Sequence, residues 1–306
     1  MKRTKKIVFM GTPDYASAIL EELIKAEDIE IIGVFTQPDK KVGRKQELKQ
    51  SEVKVVALEA SLNVYQPQKL REEENVKILK ELKPDLMIVA AFGQILPKSI
   101  LDISPCINLH ASLLPKYRGA SPIQQMLLNS DDIGGVTAML MDEGLDTGDI
   151  LAFSVLNIDE KMMLATLYEK LTQMASELTL RVIRKFETLN PLPQKGSEAS
   201  HCSKISKEQG LVRLEDALET YNKYRAFTPW PGIFLENGIK LLDISLNSES
   251  GLHKSGEILE LCDDRVIIAC ENGSISVKTI QPPSKKAMNI NSFLNGKHLS
   301  LGNSLL

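Results

Sequence analysis

The sequence predicts an α/β protein, with a largely parallel sheet first and a smaller all-β domain after it. Three observations carry that expectation. Through residues 5–150, short apolar runs alternate with amphipathic stretches. Several of the runs are too continuously apolar to have a wet face, as strands covered on both sides are. Beyond a proline- and glycine-bearing stretch near residue 190, the pattern turns to short β-prone segments separated by turns.

The elements follow in order. Residues 7–10, 29–35, 86–92, 107–110 and 136–141 read as strands; 17–25, 52–62, 76–82 and 121–129 read as the helices between them. From Lys161 one long helix is expected, because Leu164, Leu167, Tyr168, Leu171, Met174, Ala175, Leu178, Val182 and Phe186 recur at three- and four-residue steps and form one apolar stripe. Asn190-Pro191-Leu192-Pro193-Gln194-Lys195-Gly196-Ser197 has the composition of a linker. A helix over residues 214–227 comes next, then Pro229-Trp230-Pro231-Gly232. Strands are expected at 239–244, 256–261, 266–270 and 275–280, with Asp263-Asp264 and Asn272-Gly273 as hairpin turns. Short strands in series suggest a small barrel, and an oligonucleotide-binding (OB-like) type is one candidate. The domain boundaries read from this pattern are 1–189, a linker over 190–203, and 204–306.

Bulk properties fit a soluble globular protein. The chain of 306 residues is long enough for two domains, and its 43% hydrophobic and 25% charged residues are ordinary proportions. Cys106, Cys202, Cys262 and Cys270 are scattered without metal-ligand spacing, which reads as reduced thiols. The basic start Met1-Lys2-Arg3-Thr4-Lys5-Lys6 is followed by only four apolar residues before Gly11-Thr12-Pro13-Asp14. That is too short for a signal peptide or a membrane span, so a cytoplasmic protein is expected. The net charge of −3 gives no global attraction to nucleic acid, and any RNA contact has to come from local cations.

The first strand-to-helix turn, Gly11-Thr12-Pro13-Asp14-Tyr15, has one glycine and then a proline. It lacks the glycines that let backbone approach a pyrophosphate, so a nicotinamide or flavin cofactor is not expected. In sheets of this kind ligands sit at the carboxyl ends of strands. Asn108 and His110 lie there, two residues apart on one face of an extended segment. An amide and an imidazole side by side can donate to one developing oxyanion, or can simply satisfy loop backbone. A second loop, Asp142-Glu143-Gly144-Leu145-Asp146-Thr147-Gly148-Asp149, holds four carboxylates but not the spacing of a calcium loop, so no metal is expected.

With these stretches in view, the chain resembles the folate-dependent formyltransferases. The resemblance rests on Asn108-x-His110, on Ser112-Leu113-Leu114-Pro115-x-Tyr117-Arg118-Gly119-Ala120-x-Pro122-Ile123, and on Gly144-Leu145-Asp146-Thr147-Gly148-Asp149. Gly11-Thr12-Pro13, Thr36-Gln37-Pro38-Asp39, Lys204-Ile205-Ser206-Lys207-Glu208 and Ala226-Phe227-x-Pro229-Trp230-Pro231-Gly232 extend it over nearly the whole chain. It implies a Rossmann-like formyltransferase domain ahead of an OB-like one. The co-substrate it implies is 10-formyltetrahydrofolate, without a metal, and the acceptor is initiator methionyl-tRNA. Asn108, His110 and Asp146 match the catalytic residues of the family, with Asp146 orienting the imidazole. Ser112, Leu113, Leu114 and Pro115 match the loop lining the formyl-folate pocket. Arg44, with Lys45 beside it in the loop 39–49, matches the contact to the tRNA acceptor end. A monomer is the default expectation.

Alternatives stay open at this point. A formyltransferase acting on a nucleotide precursor or an amino sugar shares the same chemistry, though the first kind ends near the long helix. A non-catalytic RNA- or folate-binding module has no need of the three polar residues. In the C-terminal region Lys223, Arg225, Lys240, Lys278, Lys285 and Lys286 are offset by a similar number of acids. Trp230 reads as packing at a domain junction, with base stacking as the other option.

Overall fold

The computed structural model describes residues 4–43 and 46–306. The elements in chain order are β1 (Lys5–Gly11), α1 (Asp14–Ile24), β2 (Ile29–Phe35), β3 (Lys40–Val42), β4 (Glu47–Lys49), α2 (Glu52–Glu59), β5 (Val64–Tyr65), α3 (Glu73–Leu82), β6 (Leu86–Ala90), α4 (Lys98–Leu101), β7 (Cys106–His110) and β8 (Arg118–Gly119). They continue with α5 (Pro122–Leu128), β9 (Ile133–Leu140), β10 (Ile150–Asn157), α6 (Leu164–Lys185), β11 (His201–Cys202), α7 (Ala217–Phe227), β12 (Ile233–Phe234), β13 (Lys240–Leu252), β14 (Ile258–Leu261), β15 (Val266–Ala269), β16 (Asn272–Gln281), β17 (Met288–Asn289) and α8 (Ile290–Lys297).

The chain divides into two compact units. The first comprises Met1–Pro122, Ile133–Asn157 and Tyr168–Cys202; the second comprises Ile123–Asp132, Ile158–Leu167 and Ser203–Leu306. The residues read as linker therefore run with the first unit as far as Cys202.

The first unit is built on a seven-stranded sheet in the order β10-β9-β7-β6-β1-β2-β5. From β7 to β5 every pair is parallel, while β9 and β10 are antiparallel to their neighbours. Its central strands are apolar on both faces: Ile7, Val8, Phe9, Met10, Met87, Ile88 and Ile107 are all fully buried. One core gathers Val8, Met10, Phe35, Leu79, Met87, Val89 and Cys106. Helix α1 buries Ala16, Ile19, Leu20 and Leu23, a stripe at three- and four-residue steps. On α6 the expected stripe is present, with Leu171, Ala175, Leu178 and Val182 buried.

Strand β10 was not expected from the sequence. Only Ile150 and Leu151 at its start are buried, and the rest alternates intermediate and exposed positions. An edge strand with one wet face and a mixed composition carries little apolar signal.

The second unit carries an antiparallel sheet, β12-β13-β16-β15-β14, with β17 added to β16. Strand β13 runs 13 residues and shifts register against β16 at four places, and such bulges bend and twist a long strand toward a barrel. The turn at Asp263-Asp264 is closed by Cys262 N donating to Arg265 O (2.9 Å), and the β15–β16 turn by Cys270 N donating to Gly273 O (3.0 Å).

Arg225 of α7 is 3% exposed, so it is not a surface cation. Its guanidinium donates to the Asn222 side chain (2.6 Å) and to the carbonyls of Leu127, Asp159 and Met162. It thereby ties α7 to the two chain segments that join this unit from earlier in the sequence. Lys223 and Lys278 are paired with Glu219 (2.9 Å) and Asp264 (3.2 Å). Trp230 is 59% exposed. Among the described residues no helix is long and apolar enough to cross a membrane.

Candidate active site

Strand β7 leads with alternating residues. Ile107 and Leu109 enter the core, while Asn108 and His110 point to the other face. The third residue arrives by a less direct route than the sequence suggests. Because β9 is antiparallel to β7, with Leu140 beside Ile107, the loop after β9 leaves the sheet next to the amino end of β7. Asp146, six residues beyond Leu140, is carried back over the Asn108–His110 face. Its Oδ1 accepts from Asn108 Nδ2 at 3.2 Å, its Oδ2 accepts from the Gly119 backbone N–H at 2.8 Å, and Oδ2 lies 3.7 Å from His110 Nδ1.

The imidazole is 6% exposed, and its other nitrogen, Nε2, lies 2.9 Å from the Tyr117 carbonyl. A carbonyl only accepts, so Nε2 carries the proton, and Nδ1 is the nitrogen turned toward Asp146. At 3.7 Å that approach is too long for a hydrogen bond. The pair is therefore close enough for charge coupling while Nδ1 stays available to a third group.

Asp146 has φ +54, in the left-handed region. Asp enters it more readily than most residues, and strained backbone of this kind gathers at functional sites. The loop around it is closed from within: Asp142 Oδ1 accepts from Gly144 N (3.0 Å) and from the Thr147 hydroxyl (2.6 Å). Asp142 thus spends its carboxylate on its own turn. Among the described residues no group of three or more His, Cys, Asp and Glu side chains is placed to hold a metal.

Ser112, Leu113, Leu114 and Pro115 follow one residue after His110, and a buried threonine fixes their path. Thr137 Oγ1 donates to Ser112 O (2.6 Å) and accepts from Leu114 N (3.0 Å), while Ser112 Oγ donates to Lys116 O (2.6 Å). The chain then forms β8, which pairs in parallel with β11 from the supposed linker. Gly119 has φ +120, and a Cβ there would run into the Cys202 carbonyl, so this crossing needs glycine. Cys202 Sγ contacts the same Tyr117 carbonyl at 3.3 Å. Burial pushes its thiol pKa up, and the Asp146 carboxylate adds to that.

The structure brings Asn108, His110 and Asp146 together, and what holds them and the segment 112–115, namely Thr137, Gln194 and the Tyr117 carbonyl, was not read from the sequence. A threonine inside the otherwise apolar run 136–141 was the one available signal. Arg44 and Lys45, expected to contact the tRNA acceptor end, lie outside the described residues.

A mostly parallel sheet with an amide, an imidazole and a carboxylate converging over one strand is an arrangement suited to group transfer through a charged intermediate, and comparison identifies the family. The family described as formyl transferase matches residues 5–183, and the formyl transferase C-terminal domain matches residues 204–298. The chain belongs to the formyltransferase family. Among its relatives, the methionyl-tRNA formyltransferase of a Nitratiruptor species is 54% identical over 301 residues, covering 98% of this chain and 99% of the relative. That of Wolinella succinogenes is 48% identical over 302 residues, with the same coverage. A solved N-formyltransferase from Helicobacter canadensis, in complex with folinic acid and dTDP-3-aminofucose, shares the fold. It has a TM-score of 0.68 at 21% identity, and the match covers 90% of this chain and 98% of that one.

Proposed function

We propose that the protein transfers the formyl group of 10-formyltetrahydrofolate to the α-amine of initiator methionyl-tRNA, acting as a cytoplasmic monomer. The observation that carries this reading is the near-full-length identity of about half to methionyl-tRNA formyltransferases. The site supplies the chemistry. The neutral amine attacks the formyl carbon and forms a tetrahedral intermediate, whose oxygen takes the negative charge. Asn108 Nδ2, whose second N–H has no protein partner among the described residues, and His110 carrying a proton on Nδ1 donate to that oxygen. Preorganised donors of this kind are worth about 10²–10³ in rate each. Asp146 holds the imidazole and the amide in place and takes up the proton that the amine loses, directly or through water. The C–N10 bond then breaks, N10 of tetrahydrofolate receives a proton, and the formylated amine remains. No covalent enzyme intermediate is required.

Ser112, Leu113, Leu114 and Pro115 line the folate side of the site in this reading, and Arg44 and Lys45 contact the acceptor-end phosphates, which positions the RNA without reading its sequence. The test is transfer from labelled 10-formyltetrahydrofolate to charged initiator and elongator methionine tRNAs in parallel. Label on the initiator alone is expected. Label on neither, with folate still bound, overturns the reading and points to amino sugars or other small amines. His110→Ala is expected to remove catalysis while leaving folate binding largely intact.

A further inference from the structure

Gln194 lies in the stretch whose composition reads as a linker, yet its amide makes four hydrogen bonds with nitrogen and oxygen partners at the site, besides a long one to Met139 Sδ (3.9 Å). Its Nε2 donates to Asp146 O (2.9 Å) and to Gly148 O (2.7 Å), and its Oε1 accepts from Arg118 Nε (3.1 Å) and from a terminal guanidinium nitrogen (2.8 Å). Arg118 is 8% exposed and, among the described residues, is paired with no carboxylate. A buried guanidinium without an anion depends on neutral acceptors, and Gln194 supplies one in the bidentate geometry that Arg prefers.

The next residue, Gly119, gives its N–H to the Asp146 carboxylate. Asp146 is therefore held twice from the Arg118–Gly119 strand, by its side chain directly and by its backbone through Gln194. The backbone hold matters because Asp146 sits at φ +54, a conformation its own chain does not favour. The neighbouring backbone supports the same arrangement, since Ile150 and Leu192 exchange hydrogen bonds in both directions (2.8 and 2.9 Å).

We propose that Gln194 is a positioning residue for formyl transfer: through the Asp146 and Gly148 carbonyls it fixes the turn that presents the Asp146 carboxylate to His110. The proposal rests on the reading of Asp146 given above. It makes the segment after the long helix part of the active site rather than a tether.

The experiment uses the full chain with Gln194→Glu, Gln194→Met and Asp146→Asn, assayed with 10-formyltetrahydrofolate and charged initiator tRNA. Gln194→Glu keeps an acceptor for Arg118 but loses both donors to the turn; Gln194→Met loses all four bonds at similar volume. Both are expected to lower kcat about 10–100-fold, as a misplacement near 1 Å does, with KM for each substrate within about twofold. Gln194→Glu is expected to do so at a melting temperature near that of the parent, which a merely structural role would not produce. If both Gln194 variants keep kcat within about threefold while Asp146→Asn is inactive, the proposal falls and the reading of Asp146 stands. A kcat loss that follows only the fraction unfolded also overturns the proposal. If Asp146→Asn remains active, the reading of Asp146 falls and the proposal falls with it.

Discussion

Replacing Thr137 by Val tests how the segment from Ser112 to Pro115 is held. The substitution preserves shape and removes one hydroxyl from a residue with no exposed surface. That hydroxyl serves two backbone groups, the Ser112 carbonyl at 2.6 Å and the Leu114 N–H at 3.0 Å, in residues that are themselves buried. Leaving a buried backbone group unsatisfied costs about 1–3 kcal/mol, so losing both partners destabilises by about 2–5 kcal/mol, moderated by whatever the loop recovers on relaxing. Thr137→Ser is the control, because it keeps both bonds and loses one buried methyl group, about 1 kcal/mol. Urea unfolding followed by circular dichroism gives the two differences, and the KM for 10-formyltetrahydrofolate reports whether the loop has moved. Val is expected to be several-fold more damaging than Ser on both measures. A Val variant within about 0.5 kcal/mol of the parent, with unchanged KM, would refute the claim that this hydroxyl fixes the loop.

Three further outcomes follow from other parts of the molecule. Asp216 caps α7 by accepting from Glu219 N (2.9 Å) and also accepts from Asn272 Nδ2 (2.9 Å), and these bonds, the first above all, hold its carboxyl below the usual range. A depressed carboxyl stabilises the fold above its unfolded value and loses that contribution as pH falls through the folded one. Asp216→Ala should therefore cost about 1 kcal/mol at neutral pH, a gap that narrows below about pH 4 in paired unfolding curves. Burial pushes the Cys106 and Cys270 thiols up to about 12, so both should resist a maleimide in the native protein and react in denaturant, as mass spectrometry would read. Trp230 is the chain's one tryptophan and is largely exposed, so its native emission should match that of a solvated indole and be readily quenched by acrylamide; a blue-shifted, protected emission would contradict its placement.

The sequence by itself determined the central strands and most helices, because burial on both faces or along one helical stripe leaves a direct pattern in composition. It also placed Asn108 and His110 on one face, by the period of a strand alone. Its errors lie where that local rule stops. Strand β10 has one wet face and a mixed composition. Arg225 is buried because neutral carbonyls from two distant segments take up its terminal guanidinium nitrogens, which no charge count anticipates. The approach of Asp146 to His110 depends on β9 running antiparallel to β7, and periodicity does not encode strand direction. Gln194 looks like linker because its partners, Arg118 and the carbonyls of Asp146 and Gly148, are tens of residues away in the chain. Hydrogen bonds between residues that far apart exist only once the tertiary fold has brought them together, so only the structure could decide what holds the Asp146 carboxylate in place.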